Sequence, residues 1–352
     1  MTDTTGARQS RQAYILFTSV LVMIFLLALL AIMMGPADIS PGQTISIIHE
    51  GIWGRNGSPD SPYSQAQFYI VWNLRLPRIL SALVAGAVLA ASGVVFQSVF
   101  RNPMADPYVL GISSGASFGV ALALLAGMMP TWAGSWGLPC SAWIGAMATA
   151  FLIFLISGRS GWSQSTLLLT GVALNYLLSA LMTLLMYLNH EQLDQVLFWT
   201  LGSFGSSDWT KLTVMLVSTL LTTIPLLLTH RELDLLLLDE TSAISAGLSI
   251  RFWRLILLMI ATAAVASVVA FCGVIGFVGL MAPHLVRMMI GPKHKRLLPC
   301  SMAVGALLML LADTLSRTVM GTTELPVGVV TSIAGAPLFI ILLKNSLRRR
   351  SR

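Results

Sequence analysis

The chain is poor in charge. Only 10% of its 352 residues are Asp, Glu, Lys or Arg and only 14 are acidic, while 56% are hydrophobic and the mean hydropathy is +0.81. So few polar groups cannot cover a soluble surface, and the apolar runs recur at bilayer-spanning length. The expected class is therefore an all-α polytopic membrane protein. Cysteine is scarce too: Cys140, Cys272 and Cys300 lie far apart in apolar settings. They support neither a disulfide framework nor a C-x-x-C metal site and read as packing residues. No Gly-x-x-x-x-Gly-Lys loop is present, so this chain does not bind ATP by that route. The one long polar stretch, Gly35 to Gln67, is too short for a catalytic domain. A single membrane domain is expected over residues 13–345, between a cytoplasmic tail, 1–12, and a basic tail, 346–352.

Apolar stretches fall at about 13–34, 77–99, 108–129, 141–157, 165–189, 211–229, 254–274, 276–290, 298–318 and 326–343. The first, at about 20 apolar residues without a small-x-small cleavage pattern, is too long for a signal-peptide core and reads as a transmembrane helix. The run 254–290 exceeds one helix, and Gly273, Gly276 and Gly279 predict a break into one full span and one short one. About ten crossings result, which puts both termini on one side. With both termini cytoplasmic, 16 of the 21 basic residues lie inside; Arg55, Arg75, Arg78, Lys211 and Arg317 are the outer exceptions. The net charge of +7 is then a topology signal and an attraction to anionic membrane lipids, with nothing else to support nucleic-acid binding.

Within the spans, Ala82, Gly86 and Ala90 recur every fourth residue and predict close helix packing. Gly171, Asn175, Ser179, Thr183 and Met186 form a polar stripe on the fifth span, open to two readings: interhelical hydrogen bonding or the lining of a pathway. Asp313 and Arg317, four apart, are expected to pair on one helix face. Gly111-Ile112-Ser113-Ser114-Gly115 matches the G-x-S-x-G nucleophile pattern, but it opens a membrane helix instead of following a strand, and no base stands near it in sequence. His284 has no His, Cys or carboxylate at ligand spacing and is expected to be structural. Between the sixth and seventh spans, Asp239 to Leu248 predicts a short, smooth helix of small residues in a long inner loop, about 231–253. Such a helix is more than a connector needs; it fits docking to a cytoplasmic partner, and the alternative is a helix resting on the membrane surface.

Several blocks carry a resemblance: RLPRILSALVAGAVLAASGVVFQSVFRNPMADPYVLGISSGAS, LLLTGVALN, LDETSAISAGLS, GFVGLMAPHLVR, GPKHKRLLP, ADTLSR and ELPVGVVTSIAGAPLF. In this order they resemble the permease family of binding-protein-dependent ABC importers for vitamin B12, iron-siderophore complexes and haem. The resemblance covers about three-quarters of the chain, Arg75 to Lys344, whereas the first span and the loop after it match only in position. It implies a type II importer permease in the bacterial inner membrane, non-catalytic itself. The implied partners are a second permease chain, two ATPase subunits that hold ATP and magnesium, and a periplasmic substrate-binding protein. No cofactor is implied for this chain. By the same resemblance Arg75, Arg78 and Arg317 would meet acidic residues of the binding protein. Asp239, Glu240, Thr241, Ser242, Ala243, Ala246, Gly247 and Leu248 would form the element that couples to the ATPase. Gln164 and Ser165 would sit at the cytoplasmic gate, although their residue types depart from the family's small hydroxyl pair. An iron complex is the expected cargo and cobalamin the alternative. Outside this class stand an ion-coupled secondary transporter, for which Asp313 alone is a thin basis, and an intramembrane hydrolase, for which a base near Ser113 is missing.

Overall fold

A computed structural model describes residues 2–35, 37, 39–54, 62–125, 131–158, 160, 162–189, 193–320 and 323–350; Arg55, Arg159 and Arg352 of the charge count lie outside it. Among the described residues ten main apolar helices follow in chain order: α1 Thr2–Met33, α2 Leu76–Val99, α3 Ile112–Leu125, α4 Gly137–Gly158, α5 Gln164–Leu188, α6 Trp209–Leu228, α7 Ile250–Cys272, α8 Val278–Ile290, α9 His294–Thr318 and α10 Val327–Arg350. Seven are long and apolar enough to span a bilayer, and α3, α8 and the apolar part of α10 are shorter. Shorter helices lie between them, and no strand is found among the described residues. α1 starts eleven residues before the expected boundary, so most of the expected N-terminal tail is helical.

Small residues build the centre. α2 packs against α9, α7, α8 and α6. A methyl group on Gly86 would sit 2.2 Å from the Gly305 carbonyl oxygen, and one on Gly93 would sit 1.7 Å from that of Gly279. Neither position tolerates a side chain, so backbone meets backbone where α2 crosses α9 and α8. Ala82 and Ala90, the expected packing stripe, are fully buried beside them. α3 and α4 approach in the same way through Gly115 and Gly145.

The expected break in 254–290 is present, but its register differs. α7 ends at Cys272, Gly273 takes a left-handed φ of 71°, and α8 resumes at Val278 after Phe277 at φ 68°. Gly279 therefore lies inside α8, where its use is close packing on α2. A bulky residue in left-handed backbone is strained, and Phe277 takes that conformation at the end of the break. Unwound backbone at membrane depth must find partners inside the protein. Tyr108 supplies them: its hydroxyl donates to the Ile275 carbonyl at 2.7 Å and accepts from the Ile275 N–H at 3.3 Å. The Cys272 carbonyl accepts from Ser203 N–H at 2.9 Å.

Candidate functional site

Three regions bear on function: an ionic cluster at the outer end, an open groove along α5, and the inner loop between α6 and α7.

At the outer end, a π-helical turn, Tyr69–Arg75, runs directly into α2 and brings Arg75 and Arg78 to the end of the bundle. Their side chains do not face solvent; Arg75, Arg78 and Arg317 are 6, 8 and 8% exposed. Arg75 donates to the Ile32 and Met33 carbonyls, acceptors orphaned where α1 ends, and to the Ala37 carbonyl beyond it. Arg78 Nε donates to Asp313 at 2.9 Å, and its Nη1 lies 2.8 Å from both oxygens of Glu324. Arg317 Nε lies 3.3 Å from Asp313, an ion pair without hydrogen-bond alignment, and Nη2 donates to Ala31 O at 3.1 Å. The expected Asp313–Arg317 pair thus exists, enlarged by Arg78 and Glu324. The three arginines expected at the outer side are therefore buried and already partnered within the chain. Two arginines and two carboxylates compensate one another, and a desolvated arginine requires such partners. Of the four, Glu324 is the exposed member, with half of its side chain in solvent.

The groove lies between α5, the start of α3 and the α7–α8 break. Asn175 and Ser179 share a pocket of about 230 Å³ with Ser113, Ser114, Ser117 and Thr200. Asn175 also borders a second pocket of about 460 Å³ with Tyr108, Gly276 and Phe277. The stripe on α5 is divided by its neighbours. Gly171 is buried near Gly111, and Met186 packs on Ala121, Leu125 and Val196. Thr183 is exposed and returns its hydroxyl to the Ser179 carbonyl. Ser113 of the hydrolase-like pattern lines the first pocket, whose walls carry no histidine or carboxylate. At the inner start of α5, Gln164 donates to the Val99 carbonyl at the end of α2, 2.7 Å away, and Ser165 is exposed.

In the inner loop, the helix His230–Leu236 leads to a second one, Glu240–Ser245, shorter than expected. Asp239 caps it by accepting from the Ser242 N–H at 3.0 Å. The hydrogen bonds from Thr241 and Ser242 hold the Asp239 carboxyl down to about 2. The helix stops at Gly247, φ 85°, where Leu248 N–H bonds to Ala243 O and Gly247 N–H to Ile244 O. Ala243 and Leu248 are buried anchors, while Thr241, Ser242, Ile244, Ser245, Ala246 and Gly247 face solvent. Glu240 reaches back to Arg254 on α7 at 3.6 Å. Among the described residues no group of histidine, cysteine or acidic side chains could hold a metal, and His284 is half-buried on α8. All three cysteines are free; Cys272 and Cys300 are buried and Cys140 is exposed.

The profile of the FecCD transport family matches residues 21–345. The chain belongs to that family. It is 39% identical to the hemin transport system permease protein HmuU of Yersinia pestis over 334 residues, 94% of this chain and 97% of that one. It is 40% identical over 353 residues to the vitamin B12 import system permease protein BtuC of Salmonella newport, 98% and 99% of the two chains. A solved ABC transporter of metal-chelate type, in an inward-facing conformation, superposes with a TM-score of 0.80 at 36% identity, over 94% of this chain and 98% of that one. The protein is thus a multi-pass ABC-importer permease of the bacterial inner membrane with the type II fold. Missed by sequence reasoning were Glu324, Tyr108 and the Ser98–His294–Asp234 chain described below. Glu324, Tyr108 and Ser98 lie 246, 167 and 196 residues from Arg78, Ile275 and His294, and Asp234 lies 60 from His294, all beyond any local periodicity.

Proposed function

We propose that this permease forms the translocation pathway for an iron complex, a ferric siderophore or haem, driven by ATP hydrolysis in a separate subunit. The permease itself performs no covalent chemistry. One observation carries the pathway reading: α5 is 11% buried over its apolar window, the lowest value among the long spans, yet it carries Asn175, Ser179 and Thr183. Amide and hydroxyl groups facing lipid are costly, and a second permease chain across a hydrated pathway would give them partners. The exposed small-residue face of Thr241–Gly247 suits insertion into a groove of an ATPase, two copies of which would bind ATP and magnesium. Closure of the ATPases would displace this loop and rock the spans. Gln164 and Ser165, at the inner mouth of α5, stand where a cytoplasmic gate would close.

At the outer end, Arg75, Arg78 and Arg317 would guide a substrate-binding protein with acidic docking residues. Because these arginines already have partners, docking would exchange Glu324 for an acid of the incoming protein and not fill an empty site. Such an exchange makes docking sensitive to salt. The haem permease and the vitamin B12 permease are equally similar to this chain. Cobalamin is for that reason the second reading.

The test is ATPase activity of the permease co-purified with its ATPase in nanodiscs, with binding protein loaded with ferric siderophore, haem or cobalamin. Stimulation by one loaded form identifies the cargo. Stimulation by cobalamin alone replaces the iron reading, and failure of any ATPase to co-purify removes the machine.

A further inference from the structure

The GPKHKRLLP block holds a hydrogen-bond chain that the pathway reading does not use. His294, at the start of α9, is fully buried, as is Ser98 near the end of α2. Ser98 Oγ lies 2.6 Å from His294 Nε2, and His294 Nδ1 lies 2.6 Å from Asp234 Oδ1, in the helix His230–Leu236. The same carboxylate oxygen accepts the His294 backbone N–H at 3.0 Å. Lys293, the residue preceding α9, makes no side-chain cap bond, so Asp234 caps α9 from a different helix.

The order serine, histidine, aspartate is that of a hydrolytic triad. Here the serine and the imidazole are sealed from solvent, so no substrate can reach the hydroxyl. The Ser98 hydroxyl also lies 2.7 Å from the Val94 carbonyl, one turn back in α2. What the chain does have is reach. It connects α2, the most deeply packed long span, and α9 to the short helix that runs straight into the Asp239–Leu248 element. Leu233 and Leu236 seat that helix against the core, and Arg101 Nε donates to the Leu236 carbonyl at 2.8 Å. Apolar contacts of this kind resist separation but allow sliding, whereas a directional hydrogen-bond chain fixes orientation.

We propose that His294 is a positioning residue that transmits displacement of the coupling loop to α2 and α9 through Ser98 and Asp234. This rests on the importer reading above. Removing the link should leave ATP hydrolysis running while the pathway no longer responds to it.

The test uses the full permease with its ATPase in nanodiscs and needs no transported substrate. Ser179→Cys, in a background with the native cysteines replaced, is labelled by a membrane-impermeant maleimide without nucleotide and after trapping with MgATP and vanadate. In the parent, the labelling rate is expected to change at least fivefold on trapping. In His294→Phe, which keeps the volume and loses both nitrogens, ATPase activity should persist within about twofold while the labelling change disappears. Asp234→Ala, at a half-exposed position, should do the same and carries the test if His294→Phe does not assemble. Asp234→Asn keeps an acceptor oxygen for both His294 donors and should restore the change. Switching at parental strength in Asp234→Ala overturns the proposal. Parallel loss of hydrolysis and of ATPase binding in that variant also overturns it, by leaving only a structural role. A parent whose labelling ignores nucleotide would instead remove the importer reading.

Discussion

Helices α2 and α5 are almost equal in length, 24 and 25 residues, and both are apolar enough to span a bilayer. Yet the apolar window of the α2 run is 78% buried within the chain and that of α5 is 11% buried. Hydropathy does not separate them, because lipid and a protein core are equally apolar. What separates them is where small and polar side chains sit. In α2, Gly86 and Gly93 lie where other backbones touch it, and its charged residue, Arg78, is neutralised inside the bundle. On α5, Asn175 lines open pockets and Ser179 and Thr183 are exposed. One helix is finished by its own chain; the other is left for something the chain does not contain.

The two helices should differ most in how they take added side-chain volume. Gly93→Ala must push α2 away from the Gly279 carbonyl along a central contact, and overpacking without room to relax should cost about 3 kcal/mol or more. Ala173→Leu, a larger change on the exposed face of α5, should stay within about 0.5 kcal/mol. Thermal unfolding of the two variants in detergent checks both values, and equal effects would remove the distinction. Next in size is Arg78→Met. It leaves fully buried Asp313 with Arg317 alone, and half of a broken buried pair costs about 3 kcal/mol. Glu324→Gln, at the half-exposed end of the same network, should cost below about 1 kcal/mol. A larger loss for Glu324→Gln than for Arg78→Met would show that the cluster is held from its rim and not from Asp313.

Much of this was legible in the sequence. The ten helices, the break after Gly273, the close-packing stripe of α2 and the Asp313–Arg317 pair all follow from rules that act within a few residues: apolar length, glycine spacing and the four-residue repeat. The features that were not legible are those set by distant partners. Charge asymmetry put Arg75 and Arg78 on the outer side, but nothing local marks that Asp313 and Glu324, some 235 and 246 residues away, would bury Arg78. Gly279 looked like part of the break because glycine serves both sharp turns and close contacts, and only the position of α2 decides between them. The polar stripe of α5 was seen as a unit, yet neighbours hide Gly171 and Met186 and leave Asn175 and Ser179 open.

On α5 the open positions are Asn175 and Ser179. Leucine at both positions enlarges the apolar surface of a helix that has few neighbours in its own chain, so folding and ATPase binding should change by less than about 0.5 kcal/mol. Import should fall by tenfold or more, about 1.4 kcal/mol at the barrier. Uptake into proteoliposomes, normalised to assembled complex, reads the effect. Undiminished import would return α5 to an ordinary lipid-facing or interface helix.

The smallest expected effect lies where α2 meets the inner loop. Burial alone would raise the Asp234 carboxyl, but the two hydrogen bonds and the charge of His294 outweigh it and hold the group below the usual carboxylate range. A carboxylate lowered on folding stabilises the folded state above its unfolded value, about 4, and that stabilisation is lost as pH falls through the lower folded value. Through Asp234, attachment of the helix His230–Leu236 should therefore loosen as pH falls below about 4. Hydrogen exchange of its amides, corrected for intrinsic rates, should quicken there in the parent. In Asp234→Asn it should show no such pH step, since an amide has no proton to gain. A step of equal size in both would assign the acid sensitivity to another group and leave Asp234 as a neutral acceptor, held to α9 by geometry alone.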